Sequence, residues 1–186
     1  MSVKIDSEIV NYAHMVKEKY GVPESVTLGQ AIYESGLGKS NIANQANNWF
    51  GMKGSGNAGQ YNGTWAKYNS VYDSFDAYGK LLSKDRYTKH TKNAKTIAQY
   101  LQGVVDGGYC PDAGYVTDVL NIIHDNNLEQ YNTSEYKGVS DITDSETANN
   151  DTNVTGIKGI LSSITSWVLM LVILILAIMF LINAFS

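Results

Sequence analysis

From Trp167 to Ile182 every residue is apolar, and no charged residue follows Lys158. Taken back to Ile164 across Thr165 and Ser166, the run holds about 19 helical residues, which at ~1.5 Å each span roughly the ~30 Å hydrocarbon core of a bilayer. A helix apolar on every face needs lipid or a large surrounding protein. A chain of 186 residues interrupted by a polar segment does not supply the second. The expectation is a transmembrane helix over 164–183, with the lipid membrane as a partner and orientation weakly specified, since Lys158 is the only nearby charge.

Residues 132–163 form that polar segment. Ser, Thr, Asn, Asp, Glu and Gly dominate it up to Lys158, and Val139, Ile142, Val154 and Ile157 follow no sustained helical period. Such a stretch buries too little apolar surface to offset its ordering entropy and reads as a flexible tether, with a typical span of order 30 Å. Charge is concentrated here too. Glu135, Asp141, Asp144, Glu146 and Asp151 against Lys137 and Lys158 carry most of the net charge of −4, leaving the preceding region close to neutral.

Residues 1–131 read as one mostly helical globule. Ile9, Ala13, Val16 and Tyr20 repeat at helical spacing before Gly21, a glycine stop. A second helix is expected from Ser25, as N-cap, to near Glu34. Ser74 is expected to cap a helix with the stripe Phe75, Tyr78, Leu81 and Leu82. Ile97, Leu101, Val104 and Val105 mark a further helix, and Val116, Val119, Leu120 and Ile123 the last, ending near Asn126 and Asn127. Between Lys53 and Tyr72 the period disappears and glycine, tyrosine and asparagine take over, with Asn62-Gly63 a type I′ hairpin signal between Tyr61 and Trp65. The fold class is therefore α+β, a helical body with a small β-hairpin lobe.

Several chemistries are excluded or weak. A near-neutral globule offers no basic face for a phosphate backbone, so nucleic acid is not an expected partner. The single cysteine, Cys110, forms no intramolecular disulfide and reads as an inert small residue. His14, His90 and His124 lie far apart with no metal-ligand spacing, so no metal is expected. Gly54-Ser55-Gly56-Asn57-Ala58-Gly59 matches G-x-G-x-x-G in letters, but no buried strand precedes it and a hairpin follows, so no dinucleotide or other cofactor is expected. Met1 to His14 holds no apolar h-region, which predicts no secretory leader there and leaves Asn62-Gly63-Thr64 uninformative as a glycosylation acceptor.

Glu34 is the residue best placed for chemistry. It stands where a predicted helix runs into Gly36-Leu37-Gly38, and a carboxyl at such an end can face a cleft while Ile32 and Leu37 limit its solvation. Desolvation raises a carboxyl pKa, as a general acid at neutral pH requires. A solvated glutamate at a helix end is the ordinary alternative.

Four motifs in order weigh against that alternative: Gln30-Ala31-Ile32-Tyr33-Glu34-Ser35-Gly36-Leu37-Gly38, Asn47-Asn48-Trp49-Phe50-Gly51-Met52-Lys53, Tyr72-Asp73-Ser74-Phe75, and Gly108-Tyr109-Cys110-Pro111-Asp112-Ala113-Gly114-Tyr115. Together they resemble the glucosaminidase family of peptidoglycan hydrolases, glycoside hydrolase family 73, over roughly residues 9–131. The resemblance implies a lysozyme-like fold, peptidoglycan glycan strands as substrate, cleavage of the β-1,4 bond after N-acetylglucosamine, and Glu34 as the proton donor. It implies that Tyr109 lines the cleft and positions the sugar, although Cys110-Pro111 replaces the family's small residue and threonine. Asn48, Trp49, Gln60, Tyr61, Trp65 and Tyr115 are the further substrate-binding candidates. For Trp49, Phe50 and Tyr109, core packing is the alternative.

One departure bears on mechanism. Glycosidases commonly pair two carboxylates, and in this family the second usually lies on the hairpin lobe, yet no Asp or Glu occurs between Glu34 and Asp73. Asp73 or Asp112 supplies it from elsewhere, the N-acetyl oxygen of the substrate assists, or Glu34 acts alone as in lytic transglycosylases. Asp73 also has an ordinary role open to it, as an acid at a helix start. The expected function is a membrane-anchored endo-β-N-acetylglucosaminidase. The alternatives are a lytic transglycosylase or muramidase, and a wall-binding or structural virion protein without activity. A large domain ahead of a C-terminal anchor suits a bacteriophage virion membrane or entry apparatus, or else a bacterial cell membrane.

Overall fold

Gly21 ends the first helix where the helical spacing of apolar residues stops. In a computed structural model of the protein, which describes residues 4–132, α1 (Ser7–Tyr20) is capped at its start by the Asp6 side chain and at its end by Gly21 in the left-handed region, whose N–H returns to Lys17 O. The expected tether and transmembrane helix lie, but for Asn132, outside the described residues. Among those residues no helix is long and apolar enough to cross a membrane.

Six more helices follow: α2 (Glu24–Ser35), α3 (Asn41–Ala46), α4 (Val71–Leu82), α5 (Asp85–Thr91), α6 (Ile97–Asp106) and α7 (Tyr115–Asp125), then a 3-10 turn at Leu128–Tyr131. The expected helices all form. The two that periodicity did not indicate, α3 and α5, have six and seven residues and bury only two side chains each, too short a stripe to register as a period. Helix α2 is the central element, packed on α1, α7 and the 3-10 turn. It is almost entirely buried from Glu24 to Ala31. Its approach to α7 is so close that a Cβ on Gly29 would lie 2.7 Å from Ile123 Cγ1.

Two expected caps are corrected. Ser25 lies inside the first turn of α2, after Pro23 at the N-cap. Its N–H is satisfied by Asn132 Oδ1 at 2.9 Å, and the Asn132 amide donates to Ser25 Oγ at 3.0 Å, so the orphan donor of this buried helix start is met by a tertiary partner. Ser74 is likewise internal and buried. Ser70 caps α4, and the Ser74 hydroxyl accepts the Trp49 N–H at 3.0 Å.

The hairpin lobe is small. Strands β1 (Gln60–Tyr61) and β2 (Trp65–Ala66) pair antiparallel, with Gln60 opposite Ala66 and Tyr61 opposite Trp65. Asn62 and Gly63 both take positive φ, and the Thr64 N–H closes the turn on Tyr61 O, as a primed turn requires. An aromatic cluster ties α1, α4 and the Trp49-Phe50 segment together: Phe75 meets Tyr12, Trp49 and Phe50, and Phe50 stacks on Tyr78 with ring centroids 4.0 Å apart. Fully burying rings of this size stabilises by about 1.5–3 kcal/mol each.

Candidate active site

Glu34 occupies the penultimate position of α2, and the chain turns away at once through Gly36, Leu37 and Gly38, all at positive φ. Ser35 secures the turn: its hydroxyl donates to Ala31 O at 2.6 Å and accepts the Gly38 N–H at 2.8 Å. At Gly38 a Cβ would fall 2.3 Å from the Trp49 ring, so glycine is needed there for both φ and space.

The motif from Asn47 to Gly51 builds the opposite wall. Asn47 ends α3 in the left-handed region and donates to Tyr68 O. Asn48 is buried, and its amide donates to Met52 O and Ala66 O while accepting the Met52 N–H, all within 2.9 Å. That commitment makes Asn48 the clamp of the loop. Trp49 and Phe50 fill the core. Gly51, at φ 57°, then brings bare backbone up to the acid, where a Cβ would stand 3.9 Å from Glu34 Oε2 and from the Trp65 ring.

A pocket of about 380 Å³ opens between these walls, lined by Glu34, Phe50, Gly51, Met52, Lys53, Leu81, Tyr87, Tyr109 and Cys110. Glu34 is half-buried, and its carboxyl is pushed above its ordinary range by loss of solvent, opposed by a hydrogen bond from Tyr115. Tyr115 is fully buried and so does not offer its ring to a ligand. Its hydroxyl donates to Glu34 Oε1 at 3.1 Å and accepts from Gln30 Nε2 at 2.6 Å, while Tyr78 donates to Gln30 Oε1. The chain Tyr78, Gln30, Tyr115, Glu34 is thus one relay with every donor aimed toward the acid. Gln30 stands one turn before Glu34. Its spacing of four was the available signal, a polar side chain on the same helix face as the acid.

Tyr109 lines the pocket and packs edge-on against Tyr78 and Tyr87, with Tyr115 5.9 Å away. Its loop is held by Arg86, whose Nε donates to Gly107 O and Nη2 to Gly108 O, both at 2.9 Å, a contact that no local pattern in the sequence announces. On the hairpin, Trp65 is half-buried beside Gly51 with Lys53 Nζ 5.8 Å from its ring centre; Tyr61 is half-buried and Gln60 exposed on β1.

The structure does not bring the two candidate carboxylates into the Glu34 pocket. Asp73 accepts from the Ser70 hydroxyl at 2.8 Å and lies in the first turn of α4, where this contact and one with Asn57 hold its carboxyl below the ordinary range. Asp112 is exposed and accepts the Gly114 N–H at 2.9 Å, ahead of α7. Among the described residues no group of His, Cys, Asp and Glu has an arrangement that could hold a metal ion.

Residues 10–128 match the family model described as glucosaminidase, mannosyl-glycoprotein endo-beta-N-acetylglucosaminidase. The chain belongs to the glucosaminidase family. The exo-glucosaminidase LytG of Bacillus subtilis is 30% identical over 152 residues, 69% of this chain and 52% of LytG. The peptidoglycan hydrolase FlgJ of Escherichia coli K12 is 28% identical over 132 residues, 60% of this chain and 42% of FlgJ. The chain therefore spans about half the length of these relatives. The catalytic domain of the autolysin Auto from Listeria monocytogenes superposes with a TM-score of 0.60 at 26% identity, covering 71% of this chain and 91% of that one. The glucosaminidase domain of this protein is thus a glycoside hydrolase domain with a lysozyme-like fold, mostly helical with a single small two-stranded sheet among its described residues.

Proposed function

We propose that the glucosaminidase domain hydrolyses the β-1,4 bond that follows N-acetylglucosamine in peptidoglycan, with Glu34 as the general acid. The observation that carries this reading is the environment of Glu34: a half-buried carboxyl with a raised pKa, on the wall of a pocket, held by a buried relay. Tyr115 donates to Oε1, so the transferable proton resides on Oε2, the oxygen nearer Gly51. From there it passes to the leaving glycosidic oxygen, and the carboxylate formed is stabilised by the Tyr115 hydroxyl. Tyr109, from the pocket wall, positions the sugar. Trp65 and Tyr61 are suited to stack on sugar faces from the hairpin side. FlgJ is named a peptidoglycan hydrolase and LytG an exo-glucosaminidase, which supports this substrate and this sugar.

Among the described residues, no second carboxylate lines the Glu34 pocket. That supports assistance by the substrate's own acetamido oxygen, and it keeps a lytic transglycosylase as the second reading. Mass spectrometry of digested wall separates them: reducing N-acetylglucosamine ends support the proposal, anhydro-muramyl ends the transglycosylase, and reducing muramic ends a muramidase. Solubilisation equal to that of a Glu34→Gln control would overturn hydrolysis altogether and leave a wall-binding role.

The apolar run 164–183 supports membrane attachment, and a phage virion membrane or entry apparatus is the location that needs no export of the domain by the cell that made it. Detection in purified virions tests the location, and resistance of full-length protein to alkaline extraction from membranes tests the anchor.

A further inference from the structure

A second pocket, also about 380 Å³, adjoins the Glu34 pocket. Met52 and Leu81 line both, so the two are separated only by this apolar sill. Its other walls come from the loop at Ser55, Gly56 and Asn57, from Tyr68, and from one face of α4 continuing to Lys84.

The charges in this pocket are not equivalent. Its two acids are committed internally: Asp73 to Ser70, and Asp76 to Lys19 at 2.8 Å and the Tyr20 hydroxyl at 3.0 Å. Lys80 and Lys84 are exposed, and neither ammonium has a hydrogen-bond or ion-pair partner among the described residues. They stand four apart in sequence across the end of α4. Two cations with uncommitted donors on the wall of this pocket, one sill away from the acid, are complementary to an anion carried on a short stem by the same molecule that fills the Glu34 pocket.

The geometry points to a subsite for the peptide stem of peptidoglycan, in which Lys80 and Lys84 receive stem carboxylates while the glycan lies across Glu34. This assignment rests on peptidoglycan being the substrate. It predicts a preference for peptide-bearing strands that the near-neutral globule as a whole does not explain, and the preference weakens with salt because both lysines are solvent-exposed.

The test uses the full chain, a Lys80→Ala/Lys84→Ala variant and a Lys80→Glu/Lys84→Glu variant. Their kcat/KM values are compared on teichoic-acid-free glycan strands with intact stems and on the same strands stripped by an amidase. The ratio of the two rates is expected to fall about three- to tenfold in the alanine variant and further in the reversal variant, mainly through KM. An unchanged ratio overturns the subsite, as does an equal loss on both substrates. Independently of turnover, binding of a soluble tetrasaccharide with intact stems to the Glu34→Gln chain is expected to weaken by the same factor when both lysines are replaced. Unaltered binding there overturns the subsite too. Failure of the parent reading looks different: neither strand type is cut, and the stemmed tetrasaccharide does not bind the chain with its lysines intact.

Discussion

The Tyr115 hydroxyl donates to Glu34 Oε1 at 3.1 Å, joining the start of α7 to the end of α2 across 81 positions of sequence. Burial raises the Glu34 carboxyl and this hydrogen bond lowers it, so Tyr115 moderates the acid. Tyr115 itself is pushed well above the usual phenol range, chiefly by burial, and remains a donor at every working pH. Tyr115→Phe is expected to move the alkaline limb of the kcat/KM profile to higher pH, because the carboxylate loses its stabilising donor. A limb that stays in place or moves to lower pH would assign Tyr115 a packing role only.

Glu34 also links stability to pH. Its folded pKa lies above the ordinary 4.5, so the unfolded chain releases its proton first as pH rises. The folded state therefore loses stability from about 4.5 up through the raised value. Glu34→Gln is expected to have a higher Tm than the parent chain at neutral pH, with the difference vanishing below about 4.5. Melting curves across that range check it.

Gln30 is the fully buried middle of the relay, accepting from Tyr78 and donating to Tyr115. Gln30→Ala removes the acceptor of the buried Tyr78 hydroxyl and the donor to Tyr115, and leaves a cavity, at an expected cost of about 2–4 kcal/mol in denaturant unfolding. A loss below about 1 kcal/mol would mean that water replaces the amide.

Arg86 grips Gly107 O and Gly108 O together, next to Tyr109. Arg86→Ala is expected to lower kcat/KM with a stability loss of only about 1 kcal/mol, and Arg86→Lys to rescue little, since an ammonium does not reproduce the two-point contact. Full rescue by lysine would reduce the role of Arg86 to its charge.

Asp73 is held below its ordinary 3.8, so it stabilises the fold above that value and the contribution is lost as pH falls through the lowered one. Asp73→Asn is expected to cost about 0.5–1 kcal/mol at neutral pH, as a first-turn helix contact. A fall in kcat of ~10²–10⁴ would instead make Asp73 the missing carboxylate, and the same result for Asp112→Asn would assign it to Asp112.

Much of the fold was legible in the chain because helix periodicity is a local property. The stripes of α1, α4, α6 and α7 and the glycine at 21 needed no knowledge of their neighbours. Cap assignment was less legible. Ser25 and Ser74 have the chemistry of N-caps, but the donor each serves is chosen by what packs nearby: the Asn132 amide pairs with Ser25, and the Trp49 N–H comes to Ser74. Asn48 illustrates the same limit at the site, since a polar residue in a string resembling a family motif reads as a ligand contact until its amide is found spent on Met52 and Ala66.

By itself, the sequence determined that a mostly helical globule precedes an apolar run long enough to span a bilayer, and that Glu34 stands at a helix end running into two glycines, inside a string resembling the glucosaminidase family. Only the tertiary structure decided what surrounds that acid. Desolvation and hydrogen bonding at Glu34 depend on Gly51, Tyr109 and Tyr115, brought together from distant segments, and on a relay through Gln30 that no spacing in the Tyr115 segment encodes. The same packing put Asp73 on the far side of Met52 and Leu81, in the neighbouring pocket. Periodicity along a chain fixes which face of a helix is buried; which side chains meet across the interface is fixed by the three-dimensional packing of those faces.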